Sequence, residues 1–479
     1  MANYTTQQRE QMQARLQHVL PAVVDEMYDR LQQQEEAPTL LEIERLVQRM
    51  LQPLAREMVL GLVQQLAQQL ADSVSLCAGC TEPATYEHDK PLTLLTMWNA
   101  LTLERPYFSC APCHHGTVPL DQVLHIGPGQ VSPALEESIS MLSACMPFEL
   151  ATKALRKLLL VDLPAKTAQR VTDRIGAELE AQQQADIRRA WEQYKFPPME
   201  GAKPDTLYLS VDGTTIRLGN EYHEVKVAAF HRTEWRTTAR GERELHAVDV
   251  TYVVAVAETA EEFAKRVLVE GYRRGWNQAQ QVVVLGDGAA WIWRHIAAQV
   301  PDQVAKIEIV DFYHASERLW DVAKAVWGDQ GADNKPWVEA RLEELLQGHA
   351  DAVLQAIEAR WEKTGAARAQ LASLGEEKAK DLPEPKKTIR EAWTYFSNNH
   401  ERMHYDQYRQ QGLFIGSGTV ESACKRLIGA RAKQSGMRWS QAGAQAVLQV
   451  RALFLSDRDR WDQFWTNRQP PPRHRSKAA

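Results

Sequence analysis

The stretch Gln281–Trp291, QVVVLGDGAAW, runs three valines and a leucine up to Asp287, which stands between Gly286 and Gly288. A short β-branched run closed by glycines reads as a strand buried on both faces. Its terminal carboxylate is either a turn residue or a group held where the strand meets solvent. Asp-Gly after a strand is a routine turn signal, so Asp287 alone decides nothing. The surrounding sequence repeats the pattern, with LYLSVDG at 207–213, EVKVAAF at 224–230, DVTYVVAVA at 249–257 and KIEIVDF at 306–312. Helical text, EEFAKRVLVEGYRR and AAWIWRHIAAQ, separates the third run from the fourth and the fourth from the fifth. Three consecutive strands followed by β–α units predict a mixed sheet covered by helices.

Asp212 closes its strand as Asp287 does. If those strands are neighbours, the two acids converge at one edge. A third acid comes from GLFIGSGTVESACKRLIGARAK at 412–433, where Gly416 and Gly418 predict a turn and Ser417 or Thr419 a helix cap. Glu421 then falls in the first helical turn, beside an apolar stripe of Val420, Cys424 and Leu427. Three carboxylates without a nearby Cys or His favour Mg2+ or Mn2+ over zinc. Two such ions stabilise the attacking and leaving oxygens of a phosphodiester displacement. Each acid also has a plainer reading: a turn for Asp212 and Asp287, an i,i+4 surface pair with Lys425 for Glu421.

Four of the six cysteines form two knuckles, Cys77-Ala-Gly-Cys80 and Cys110-Ala-Pro-Cys113, with 29 residues between them. Four thiolates close the shell of a tetrahedral zinc, a structural ion with no open position. Alternating text such as LTLERPYF between the knuckles predicts ribbon strands; His88, His114 and His115 are alternative ligands. Helical spacing of Val59, Leu62, Val63, Leu66 and Leu70 precedes this module, and the Gly127-Pro128-Gly129 hinge follows it. PFELATKALRKLLLVDLPAKTAQRVTDRIG then reads as helix, break at Asp162–Pro164, helix. The second helix offers Lys166, Gln169, Arg170 and Arg174 to phosphates or base edges, as a helix-turn-helix or an ordinary helical hairpin would.

The chain has 479 residues and a net charge of −6, which excludes a uniformly basic nucleic-acid binder. Charge distribution says more. From Ser422 to Ser456 there is no acid, yet Lys425, Arg426, Arg431, Lys433, Arg438 and Arg451 are present. That run predicts a cationic DNA surface beside Glu421. Trp327, Trp337, Trp361 and Trp393 are expected core anchors. The ending RQPPPRHRSKAA is expected to be disordered. No apolar run reaches ~18 residues and no signal h-region opens the chain, so a cytoplasmic protein is expected.

VDGT at 211–214, GDGAAWIW at 286–293 and GSGTVESACKRLIGAR at 416–431 resemble the three catalytic blocks of bacterial insertion-sequence transposases of the DDE superfamily. The likeness spans about 204–325 and 395–466. It implies an RNase H-like catalytic domain with Asp212, Asp287 and Glu421 as the metal-binding triad. Asp311 is a rival second acid; Asp311-Phe-Tyr-His314 is similar to an acid-x-x-His element of related enzymes, with His314 at the scissile phosphate or in a buried bond to Asp311. The implied layout is multidomain α+β: a helical segment (1–72), zinc ribbon (73–126), helix-turn-helix-like module (127–200), catalytic domain in two parts (201–325 and 411–466) around a helical insertion (326–410), and a disordered basic tail (467–479). The implied activity is metal-dependent cleavage and strand transfer of an element whose terminal repeats the chain binds, as a dimer or larger assembly on double-stranded DNA at the nucleoid. A nuclease without strand transfer and a non-catalytic DNA-binding regulator are the competing expectations.

Overall fold

The computed structural model describes residues 5–473 other than 73–74, 78, 238–240, 376–378, 417, 419–422, 435 and 472. The chain is mixed α+β with two sheets, and it divides into two compact units: residues 1–172 with 461–479, and residues 173–460.

The first unit begins with α1 (Thr6–Gln32) and α2 (Leu40–Ala71). Each opens on a capping box, Thr5 with Gln8 and Thr39 with Glu42, so two N–H groups at each start find partners. Val23, Leu46 and Met50 are buried between the two helices. The sheet that follows is β1 (Ser75–Leu76), β2 (Pro83–Thr96), β3 (Asn99–Ser109) and β4 (Gly116–Thr117), antiparallel and in chain order. Period-two alternation puts Leu92, Leu94, Leu101 and Leu103 on one face, against Val59 and Val63 of α2. Leu66 and Leu70 pack beside Val118 and Leu120, while Leu62 of the same expected stripe stays exposed. Within α3 (Pro119–Val123), Asp121 takes a two-pronged bond from buried Arg105, at 2.8 and 2.6 Å.

Helices α4 (Pro133–Cys145), α5 (Phe148–Leu159) and α6 (Ala165–Gln193) follow, and the division of the two units falls within α6. Pro164 stands just before α6, its carbonyl accepting the Thr167 and Ala168 N–H groups. The start of the expected disordered tail is docked: Arg468, 5% exposed, bonds Glu136 at 2.8 Å, and Arg473 donates to the Gly127 carbonyl at 3.2 Å. Residues 472 and 474–479 lie outside the described residues.

The second unit contains all five expected strands: β5 (Thr206–Leu218), β6 (Glu221–Thr237), β7 (Arg243–Val256), β8 (Gln281–Gly286) and β9 (Ala305–Val310). Their order is β7-β6-β5-β8-β9, antiparallel from β7 to β5 and parallel from β5 to β9. EEFAKRVLVEGYRR forms most of α7 (Ala260–Arg273). AAWIWRHIAAQ departs from the expected regular helix: Ile292–Ile296 is a π turn and Ala297–Gln299 a 3-10 turn, with Ile292, Trp293, Ile296 and Ala297 buried on the sheet.

One sheet face carries Leu207, Leu209, Val211 and Phe230, together with Phe263 and Val267 of α7. The same core continues into α8 (Phe312–Trp327), α9 (Asn334–Leu346), α10 (Ala350–Lys363) and the helix Lys386–Asn399 through Leu319, Val338, Ile357, Trp361 and Phe396. The expected helical insertion at 326–410 shares the core of the sheet. Trp337 and Trp361 are buried there; Trp327 and Trp393 pack at its margin. The opposite face, Ile216, Val225, Val227, Val254 and Val256, is covered by Ala423, Leu427, Ile428, Ala444 and Leu448. These belong to the segment around the π turn Cys424–Gly429 and to the helix Gln441–Leu455.

Candidate active site and metal centre

Parallel register fixes where the acids fall. Val211 of β5 pairs with Gly286 of β8, which pairs in turn with Val310 of β9. Asp212, Asp287 and Asp311 each come one residue later, so they form a single row where the parallel ladders end; Asp212 does not close its strand as expected, because β5 runs on to Leu218 against β6. This is the edge at which open α/β sheets place their ligands. Asp212 and Asp287 are on neighbouring strands, and Asp311 is one strand further out.

The three acids have different surroundings. Asp212 is half-buried, and its Oδ1 accepts the Gly213 N–H at 2.7 Å. Alternation puts its side chain on the face of Ile216, where the Cys424 thiol meets it. Burial, and then the charge of Asp287, push the Asp212 carboxyl above the usual aspartate range; hydrogen bonds from Cys424 and Gly213 and the nearness of His314 pull it partly back. Asp287 Oδ1 accepts the Ala289 N–H at 2.9 Å. Asp311 is 2% exposed and caps α8, its Oδ1 accepting the Tyr313 N–H at 2.6 Å. His314 is half-buried with Nδ1 3.3 Å from Glu317, so the expected buried histidine bonded to Asp311 is not what forms.

Two neighbouring segments brace the row. Gly288 has φ +97°, and a Cβ there would come 2.7 Å from a ring carbon of Tyr395. Asn399 donates to the Gly288 carbonyl at 3.3 Å and accepts from Trp293 Nε1 at 3.2 Å, tying the loop after Asp287 to the helix Lys386–Asn399. The Tyr395 hydroxyl is buried without a hydrogen-bond partner among the described residues, and burial plus the charges of Asp287 and Asp311 keep it protonated far into the alkaline range. On the other side the Phe312 N–H donates to Ile415 at 2.8 Å, and Gly416 packs on the Tyr313 ring. Glu421 lies outside the described residues, as do Ser417, Thr419 and Val420. Sequence reasoning treated Cys424 only as a packing residue and missed Tyr395 and Asn399. The sole signal for Cys424 was its place three residues after Glu421; nothing in the sequence marked the other two.

The knuckle cysteines do converge. Among the described residues, the sulfurs of Cys77, Cys80, Cys110 and Cys113 form a group with all atoms within 4.8 Å of one another, able to hold a metal ion. All four are free thiols, with Cys77 and Cys113 at 3.4 Å and Cys80 and Cys110 at 3.4 Å. The edge of a tetrahedron with metal–sulfur bonds of ~2.3 Å is ~3.8 Å, so the spacing suits one ion. Both knuckles fold alike: Thr81 N–H bonds the Cys77 carbonyl at 2.9 Å and His114 N–H the Cys110 carbonyl at 2.8 Å. The Gly79 N–H bond to sulfur helps bring the Cys77 thiol down to about 6. His88, His114 and His115 are outside the group, and the carboxylate row contributes no group of that closeness among the described residues.

The expected DNA-contacting residues divide. Lys166, Arg170, Lys425, Arg426, Lys433 and Arg438 are exposed, and Gln169 and Arg174 are half-buried. Arg431 must be taken off the surface. It is 0% exposed, with its guanidinium 5.0 Å from the centre of the Trp439 ring. Arg451, 7% exposed, likewise turns inward and donates to the Arg426 carbonyl at 2.9 Å. Lys433 reaches Thr214, two residues from Asp212.

No helix among the described residues is long and apolar enough to cross a membrane. The sequence model of the uncharacterised protein family UPF0236 matches residues 33–469. No curated protein matches the chain.

Proposed function

The chain belongs to UPF0236, and from the placement of its acids we propose that it is a transposase of the DDE type, acting on double-stranded DNA. The observation that carries this reading is the row of Asp212 and Asp287, each one residue past the last pair of the parallel ladder between adjacent strands β5 and β8. The strand order, antiparallel through β5 and parallel beyond it, supports an RNase H-like catalytic domain. A half-buried carboxylate pushed upward by burial and by a second carboxylate is a poor resident of a metal-free site and a good ligand for a hard cation. Asp212 and Asp287 would hold Mg2+ or Mn2+, with Glu421 as the third ligand. In the chain Glu421 is bracketed by Gly416, packed on Tyr313, and by Cys424, bonded to Asp212. When bound, two such ions supply Lewis-acid stabilisation to both oxygens of an in-line phosphodiester displacement.

The protein's own groups do the rest. The Gly213 N–H and the Cys424 thiol orient Asp212, and the Ala289 N–H orients Asp287. Tyr395 offers a protonated hydroxyl beside the row. Exposed Lys425, Arg426, Lys433 and Arg438 would hold phosphates near it, and Lys166, Gln169, Arg170 and Arg174 would read the element ends. Water serves as nucleophile for cleavage and the freed 3′-hydroxyl for strand transfer. The four-cysteine group would take zinc as a structural ion. Joining two ends requires at least two copies on DNA.

The test uses the full chain with duplexes of whatever inverted repeats sequencing finds on both sides of its gene; if there are none, the reading loses its substrate. Asp212→Asn, Asp287→Asn and Glu421→Gln are each expected to abolish Mg2+-dependent cleavage and leave end binding intact. Wild-type cutting by Glu421→Gln would remove the site assignment, and pre-cut ends that bind but never join would leave a nuclease.

A further inference from the structure

The loop that carries Asp287 continues into the wall of a cavity of about 720 Å³, lined from Gly288, Trp293 and Arg294 on one side and the helix Lys386–Asn399 on the other. Among the described residues five cations line it, Arg294, Arg318, Lys380, Arg390 and Arg402, against one acid, Glu391. Two of the five are engaged in the wall. Arg402 bonds Glu308 at 2.7 Å and lies over the Trp293 ring, and Arg390 donates to the Leu374 carbonyl at 2.9 Å. Arg318 lies 5.7 Å over the Tyr395 ring, with Asp321 no nearer than 3.9 Å. Arg294 and Lys380 are exposed and have no ion pair among the described residues. Like charges gathered around one concavity raise the local potential and concentrate anions there. The cavity exceeds what one phosphate fills, and its rim is the residue after Asp287.

We propose that this cavity is a phosphodiester-binding subsite, holding backbone phosphates of the DNA strand that runs past Asp287. It rests on the DNA-cleaving reading above and extends it to residues outside the carboxylate row. Arg294 and Lys380 make the direct contacts. Arg318 adds charge from the aromatic wall, and Tyr395 and Asn399 couple the wall to the Asp287 loop.

The experiment measures binding of the full-length protein to a fluorescent duplex in EDTA, so that no cleavage enters. Each phosphate neutralised contributes about 0.9 to the slope of log affinity against log salt, so Arg294→Ala with Lys380→Ala should flatten the slope by about 1.8. From 50 to 200 mM salt, wild type should then lose about 12-fold more affinity than the double variant. Glu391→Gln, which removes the only acid of the lining among the described residues, should tighten binding. Equal slopes for wild type and the double variant overturn the subsite. A double variant that keeps the wild-type slope but no longer gains thermal stability from inorganic phosphate marks a small-anion site and overturns it too. Wild-type protein that binds no duplex at all is the separate result that refutes the function itself.

Discussion

Asp212→Asn should make the metal-free protein more stable while destroying its chemistry. Val211 and Gly286 are in register, so Asp212 and Asp287 lie one row on, on strands about 4.8 Å apart. Two carboxylates about 6 Å apart repel by about 0.7 kcal/mol at the dielectric constant of water and about 2.8 kcal/mol at an effective value near 20. Burial acts in the same direction, since it too raises the Asp212 carboxyl. The bond from Gly213 survives the change, because an amide oxygen accepts it as a carboxylate oxygen does. The expected gain is about 1–2 kcal/mol, or about 2–5 °C in Tm for a unit of this size. Magnesium reverses the order. Wild type gains about 2.7 kcal/mol at a hundredfold excess over Kd, and the variant, lacking a ligand, gains little. The pH dependence has a definite sign. A carboxyl whose folded pKa is raised contributes stability below its unfolded pKa and loses it as pH rises through the folded value. The advantage of Asp212→Asn should therefore be full at neutral pH and vanish in acid. Thermal unfolding in EDTA and in Mg2+, repeated across pH, reads all of this. An Asp212→Asn protein less stable than wild type in EDTA, or an equal Mg2+ response in both, would refute the reasoning.

Cys110→Ser should release the ion of the four-cysteine group, seen as a fall from one bound zinc per chain to none by elemental analysis, and should lower the stability of the first unit. Gly288→Ala places a methyl 2.7 Å from Tyr395 at a φ of +97°, at a cost of about 1–3 kcal/mol; cleavage should drop with Tm. Arg431→Ala should lower Tm, because the side chain is buried on Trp439, and leave the salt slope of DNA binding untouched. Arg438→Ala, at an exposed position, should do the opposite and flatten that slope by about 0.9.

The five strands of the second unit were legible because β-branched runs such as VVVL at 282–285 and VKVAA at 225–229 are bounded by turn residues. The knuckles were legible from spacing alone, since two pairs of thiols two residues apart leave few alternatives. Register was not legible, so the row Asp212, Asp287, Asp311 could be expected only for neighbouring strands and needed the ladder to place it. The tryptophans announced burial without saying against what, so the packing partner of the insertion was not legible. Arg431 shows the limit of reading charge from sequence. A guanidinium stacks on an indole and buries as readily as it faces a phosphate, and its neighbours in the chain look the same in both cases. Tyr395 and Asn399 belong to no motif; they matter only because a helix whose Asn399 is 111 residues beyond Gly288 lies against the Asp287 loop.

The covering of the second sheet face has a consequence for the timing of synthesis. The valines at 225, 227, 254 and 256 are shielded by residues 423–452, which leave the ribosome long after both aspartates. Until they arrive, the nascent chain carries a bare greasy slab and an acid with no thiol beside it. A product truncated before residue 423 would leave that face open, and would be a candidate for the proteases.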